Sequence, residues 1–257
     1  MSISGDTYSS PRCFTCANFA TDTQPRYQPN GFLIAYLSTQ VLQYESDRYR
    51  IKLYDRSTGK ITVLTENWDR SVSSISWTPD GKYLLAEALE FARTKVYRIS
   101  LTGDVTYMIV DHTNKASRML PDGSILFSRQ ALTFPLTIFQ WFPSTNSSTP
   151  LTRFNEMFIE KCIMATPQEF WFAGANGDQI HGWYLPPVFA NTTTKPTKVP
   201  LAYLIHGGPQ SSWADDWSYR WNPQIYAAHG FATADIDFHG SQGYGQAFTD
   251  SIINDYG

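Results

Sequence analysis

Trp77-Thr78-Pro79-Asp80-Gly81, followed by the apolar run Tyr83-Leu84-Leu85-Ala86, is the stretch on which the fold turns. Proline presets one turn position and the glycine tolerates positive φ, so P-D-G links two strands tightly. The same arrangement stands upstream, where Tyr27-Gln28-Pro29-Asn30-Gly31 leads into Phe32-Leu33-Ile34-Ala35-Tyr36. It stands again downstream, where Leu120-Pro121-Asp122-Gly123 leads into Ile125-Leu126-Phe127. The recurrence at roughly 40 to 50 residues is the length of one four-stranded propeller blade.

Each unit carries a second strand signal. Tyr49-Arg50-Ile51-Lys52-Leu53-Tyr54 alternates, Asp55 to Lys60 turns, and Ile61-Thr62-Val63-Leu64-Thr65 alternates again. That pattern predicts a β-hairpin with one buried face, and Lys95 to Ser100 with its Leu-Thr-Gly-Asp turn repeats it. Residues 1–168 are therefore expected to form part of a β-propeller, about three to four blades, in preference to a β-sandwich. An open array leaves strand edges and a blade face uncovered, so residues 1–257 are expected to fold poorly alone.

Past about residue 165 the pattern changes. Phe170-Trp171-Phe172-Ala173 and Ile180 to Leu185 flank Gly174 to Gln179 as a hairpin, and Pro186-Pro187 ends it. Leu201-Ala202-Tyr203-Leu204-Ile205 is an unbroken apolar run, the pattern of a short strand buried on both faces in a mostly parallel sheet. Asn222-Pro223 pairs an N-cap with proline at the first helical position, and Gly230 closes the helix before a strand over Phe231 to Phe238. Strand, helix, strand with a glycine loop opens an α/β domain, expected over residues 169–257.

Composition narrows the function. The chain has 257 residues, 15% aromatic and 17% charged, which suits a folded β-rich protein and not a disordered one. Its formal net charge of -3, with no basic block, gives no support to a nucleic-acid or anionic-membrane partner. No apolar run nears the roughly 18 to 20 residues of a bilayer span. The first residues lack a cationic segment followed by an apolar core, so no signal peptide is expected in this chain. The triplets Asn146-Ser147-Ser148 and Asn191-Thr192-Thr193 are candidate glycosylation sites in polar loops. Cys13 and Cys16 lack a second ligand pair for zinc and are expected to be structural, either buried or paired with each other, leaving Cys162 over.

The stretch with chemistry is Ile205-His206-Gly207-Gly208-Pro209, directly after the apolar strand. Two glycines let the backbone turn sharply and bring an N–H close to a ligand. In α/β-hydrolases one oxyanion donor comes from such a loop. Gly208 is the expected donor, with Gly207 and His206 shaping the loop. A second cluster, Asp237-Phe238-His239-Gly240-Ser241-Gln242-Gly243-Tyr244-Gly245, lacks the order of a phosphate loop. Asp235, Asp237 and His239 want a fourth ligand, so no metal and no other cofactor is expected. Ser241 lacks the G-x-S-x-G elbow and is not read as a nucleophile; no such elbow occurs anywhere in the chain.

HGGP, a Trp-rich loop, N-P-x-x-Y-A-A-x-G and D-F-H-G-S-x-G-Y-G-Q-A-F-T-D together resemble the start of the catalytic domain in the prolyl oligopeptidase family of serine peptidases. Gly177 to Pro187 looks like that family's entry strand. Arg50 to Asp55, Trp68-Asp69-Arg70 and Trp77 to Lys82 look most like its secreted fungal dipeptidyl-peptidase branch. The resemblance implies a propeller capping an α/β-hydrolase domain, with peptide or oligopeptide substrates cleaved by acyl transfer outside the cell. It implies a triad in the order Ser, Asp, His, all beyond Gly257, so the chain alone is expected to be inactive. Only Gly208, Gly207 and His206 map onto the oxyanion region. His239 stands where many relatives carry arginine. Glu87 and Glu90 are weaker candidates for contact with a substrate amine, against the ordinary alternative of solvated surface glutamates. The other readings are a non-catalytic propeller binding module and an α/β-hydrolase esterase.

Overall fold

A computed structural model describes residues 12–189 and 198–255. Twelve strands come first: β1 (Asp22–Tyr27), β2 (Leu33–Ser38), β3 (Arg50–Asp55), β4 (Ile61–Val63), β5 (Val72–Trp77), β6 (Tyr83–Glu90), β7 (Arg93–Ser100), β8 (Val105–Ile109), β9 (Thr113–Met119), β10 (Ile125–Ala131), β11 (Phe134–Phe142) and β12 (Ser147–Pro150). They form three four-stranded antiparallel sheets, each of four consecutive strands with sequence neighbours paired.

The P-x-G signature links the first strand of each sheet to the second. In β5–β6 the Gly81 N–H donates to Thr78 O at 2.9 Å, and the Thr78 N–H donates to Tyr83 O at 2.9 Å. The equivalent turns close at Gly31 on Gln28 O and at Gly123 on Leu120 O. Gly81 has φ +67°, the region where a Cβ is penalised.

The sheets pack face on face. Leu37, Ile51 and Leu53 of the first sheet meet Val72, Ile75, Leu84, Ala86, Tyr97 and Ile99 of the second. Leu85, Val96 and Ile109 of the second meet Ile125, Phe127 and Trp141 of the third. Each large apolar side chain buried this way contributes about 1.5–3 kcal/mol. The hairpin expected to have one buried face departs from that pattern. β3 is buried along most of its length, because its inner face joins this core and Tyr54 on the other face is stacked by Phe14, ring centroids 4.5 Å apart. β4, at the sheet edge, is exposed throughout. Cys13 and Cys16, flanking Phe14, form a disulfide, and both are exposed, so of the two alternatives pairing holds and burial does not. Cys162 is free and exposed.

After α1 (Glu156–Ile159), the strands β13 (Gln168–Ala173), β14 (Gln179–Leu185), β15 (Leu201–Leu204) and β16 (Ala232–Asp237) make a fourth sheet in the order β13-β14-β16-β15. Only β15 and β16 run parallel. Between them lies α2 (Pro223–Ala228), and the Asn222 side chain accepts from the Gln224 N–H at 3.0 Å, as its N-cap position predicts. A last helix, α3 (Gln246–Asp250), follows β16.

The expectation for β15 is corrected. It is an edge strand, and its apolar side chains face outward: Leu201 is 59% exposed and Ile205, just past its end, 65%. An apolar run reports a preference for burial, while burial itself needs a covering element, and none of the described residues covers this face. Ala92 and Leu132, in the turns β6–β7 and β10–β11, pack with Trp183, Leu185 and Ala227, joining the fourth sheet to the other three. Among the described residues no helix is long and apolar enough to cross a membrane.

Candidate active site

The parallel pair β15–β16 opens into two loops, 205–216 after β15 and 238–245 after β16. Its register ends at Leu204 opposite Asp235, one turn before the glycines. Among the described residues neither the Gly207 nor the Gly208 N–H enters a ladder bond. Gly208 has φ +137°, and a Cβ there would lie 2.7 Å from the Gln210 N, so no other residue fits without displacing backbone.

His206 stacks on Phe238, ring centroids 4.4 Å apart. Its Nε2 lies 2.8 Å from the Ser241 Oγ and 3.5 Å from the Asp237 Oδ1. Histidine, serine and aspartate thus meet, but not as a catalytic relay. Serine and aspartate address the same ring nitrogen, the Nδ1 lies 3.1 Å from the Gly207 carbonyl, and Ser241 is wholly buried.

β16 carries Asp235 and Asp237 on one buried face. Burial pushes the Asp235 carboxyl up to about 8, and the adjacent Asp237 pushes the same way. Neither Asp235 oxygen has a hydrogen-bond partner. Burial raises the Tyr244 hydroxyl too, and Asp237 adds to it. His181 of β14 lies 3.9 Å from Asp237, and its Nε2 is 3.1 Å from Glu169, which the Arg93 guanidinium grips at 2.9 and 3.2 Å. Burial holds His181 below its usual pKa despite both carboxylates. His239 turns away from the aspartates, its Nε2 2.7 Å from Asp178 and its ring stacked on Phe248. The three residues considered as metal ligands are therefore not one cluster.

The loops face a cavity of about 560 Å³ whose opposite wall comes from the first three sheets. Glu87, Lys115, Asp69 and Asp216 line it. Burial lifts Asp216 to about 6 against the opposing charge of Lys115. The first three sheets also grip the loops directly. The Phe91 N–H donates to Gly243 O at 3.2 Å, the Asp215 N–H to Ala92 O at 2.7 Å, and the Gln246 N–H at the start of α3 to Asp69 at 3.0 Å.

The two glutamates are not solvated surface groups. Glu90 is buried and takes Arg70 at 2.8 Å, Lys95 at 2.7 Å and the hydroxyls of Tyr97 and Tyr107. Burial raises its pKa, but Lys95 and Arg70 outweigh that and hold it below the usual range. Glu87 is buried and accepts from the Ser117 N–H and Oγ at 2.6 and 2.7 Å, and it still borders the cavity. Asn146 sits exposed in the β11–β12 turn, while Asn191 lies outside the described residues. Sequence reading missed Asp237 as a hub and missed the Arg93–Glu169–His181 line. The available signal was a pair of acids two apart on an apolar strand.

Residues 217–257 match the prolyl oligopeptidase family. In that stretch the chain is similar to this family of serine peptidases. More particularly, it is similar to the dipeptidyl-peptidase 5 of Aspergillus fumigatus, 34% identical over 242 residues. It is equally similar to the dipeptidyl-peptidase 5 of Schizosaccharomyces pombe, 35% identical over 245 residues. Each match takes in 91% of this chain and 33% or 34% of the relative, so the chain spans about a third of the length of the curated relatives it matches. Among solved structures, the acylaminoacyl peptidase of Pyrococcus horikoshii superposes with a TM-score of 0.72 at 20% identity, covering 86% of this chain and 33% of that one. A puromycin-hydrolyzing peptidase of Mycobacterium tuberculosis superposes at 0.62 with 13% identity, covering 90% and 35%. These likenesses are of fold.

Proposed function

We propose that the chain is part of a dipeptidyl-peptidase-like serine peptidase. In this reading residues 1–168 are propeller blades, one for each four-stranded sheet, and 169–257 open an α/β-hydrolase catalytic domain. Stacked meanders support the blades, and exposed apolar residues beyond the third sheet, such as Phe154, are where a fourth would pack. A closed propeller takes about four to eight blades.

The observation that carries the reading is the His206–Pro209 turn at the mouth of a parallel strand pair, with glycine amides outside the ladder. A serine beyond Gly257 attacks the scissile carbonyl, a histidine takes its proton, and the Gly208 N–H donates to the oxyanion. Collapse of that intermediate releases the amine and leaves an acyl-enzyme for water. Gly207 and His206 give the loop its shape. One such donor supplies about 2.7–4 kcal/mol of transition-state stabilisation. Peptides or oligopeptides enter through the cavity between the sheets and the loops. A secreted protein glycosylated at Asn146 and Asn191 accords with the fungal relatives and with the exposed turn at Asn146.

A serine-directed fluorophosphonate tests this. The 257-residue chain stays unlabelled, and a longer gene product labels stoichiometrically at a serine beyond Gly257 and releases dipeptides. Labelling of the short chain, above all at Ser241, ends the proposal. Turnover of esters without any of dipeptidyl substrates makes the protein an esterase instead.

A further inference from the structure

The geometry points to Asp237 as the positioning residue of the oxyanion loop, a single carboxylate that clamps the 206–213 segment at its far end and lies against its start. Calling that segment an oxyanion loop rests on the function proposed above; the clamp does not. Asp237 is 1% exposed. Its Oδ1 accepts the Trp213 N–H at 2.7 Å and lies 3.5 Å from the His206 Nε2. Its Oδ2 accepts the Ser212 Oγ–H at 2.6 Å and the Tyr244 O–H at 2.6 Å. Ser212-Trp213 ends the turn in two hydrogen bonds to this carboxylate, while His206 begins it beside the same side chain, its Nε2 2.8 Å from the Ser241 Oγ. Tyr244 ties in the second loop, and the Gln242 N–H to Ser211 O bond at 2.7 Å closes the two loops on each other.

A buried carboxylate without donors is costly, so its lone pairs recruit donors that the chain brings near. Here the donors come from the loop. The feet are immobilised while Gly207 and Gly208 at the apex keep N–H groups outside the ladder. A fixed base with an open apex is what a preorganised donor requires, because an amide that must reorient during the reaction loses its advantage.

The test is residue-resolved amide exchange on the longer gene product, which completes the sheets that the 257 residues leave open, with β6 and β7 amides as internal reference. Asp237→Ala is expected to lower Trp213 protection by roughly ten- to a hundred-fold, the loss of a hydrogen bond to a charged group, and to shift the Gly207 and Gly208 resonances. Asp237→Asn keeps an acceptor for Trp213 and groups for both hydroxyls, which can reverse their roles, and restores most of that protection. Unchanged Trp213 exchange in Asp237→Ala overturns the proposal. So does a loss that is equal in β6, or that the asparagine fails to restore. If Asp237→Ala does not fold, Ser212→Ala and Tyr244→Phe decide: each lowers Trp213 protection while sparing β6, and no change in either overturns the clamp. Exchange needs no turnover, so absent peptidase activity defeats the proposed function and leaves this result standing.

Discussion

The three antiparallel sheets and the mixed fourth sheet are held together by different means. In the first three, a P-x-G turn sets each β-meander, and apolar side chains lock one sheet to the next. In the fourth, the strand carrying the most buried acid lies next to an edge strand whose apolar side chains are exposed. Its loops are organised by polar groups: Asp237, His181, Ser241 and Tyr244. The lesson is one of division. Dispersed apolar burial makes a robust scaffold, while concentrated buried charge fixes a few atoms in place at a cost in stability.

The largest effect that would sharpen this contrast comes from Asp235. Its folded-state pKa of about 8 lies above that of an unfolded aspartate, so the folded chain holds a proton that the unfolded chain releases. The contribution of Asp235 to stability is therefore full below about pH 4, falls as pH rises toward 8, and is level above that. The slope inside that window is about 1.4 kcal/mol per pH unit. Urea midpoints across pH 5 to about 8 are expected to fall in the wild type and to flatten in Asp235→Asn. Parallel curves would mean that Asp235 ionises freely in the fold.

Next in size, Leu84→Ala at a wholly buried position of β6 is expected to cost about 2–5 kcal/mol, and the same change at exposed Leu201 less than about 0.5 kcal/mol. Equal losses at the two sites would erase the distinction between scaffold and edge. Smaller than the loss at Leu84 is that of Gly81→Ala. Its positive φ and the Gln28 Cγ only 3.2 Å from a new Cβ predict a loss of about 1–2 kcal/mol, read by thermal melting. A neutral result would show that the P-x-G turn is tolerant, not directive.

What was legible in sequence was local. The turn at Pro79-Asp80-Gly81, the Asn222 cap and the glycine pair after β15 each depend on dihedral preferences or hydrogen bonds spanning a few residues. Glu87 and Glu90 were not legible, because Lys95, Tyr107 and Ser117 reach them from separate strands and Arg70 from the β4–β5 connection. Asp235 and Asp237 invited a metal reading since their spacing shows a shared face but not what faces it.

From its sequence alone this chain was committed to meanders with tight proline-glycine links, to a capped helix between two strands, and to a resemblance, by motif, to a peptidase family. Tertiary structure decided which side chains lie in the dark: that the apolar strand β15 stands at an edge, that Glu90 is sealed in ion pairs and Glu87 in hydrogen bonds from Ser117, and that Asp237 gathers two loops. The reason is range. Backbone preference is settled within a turn, whereas desolvation depends on what arrives from a hundred residues away.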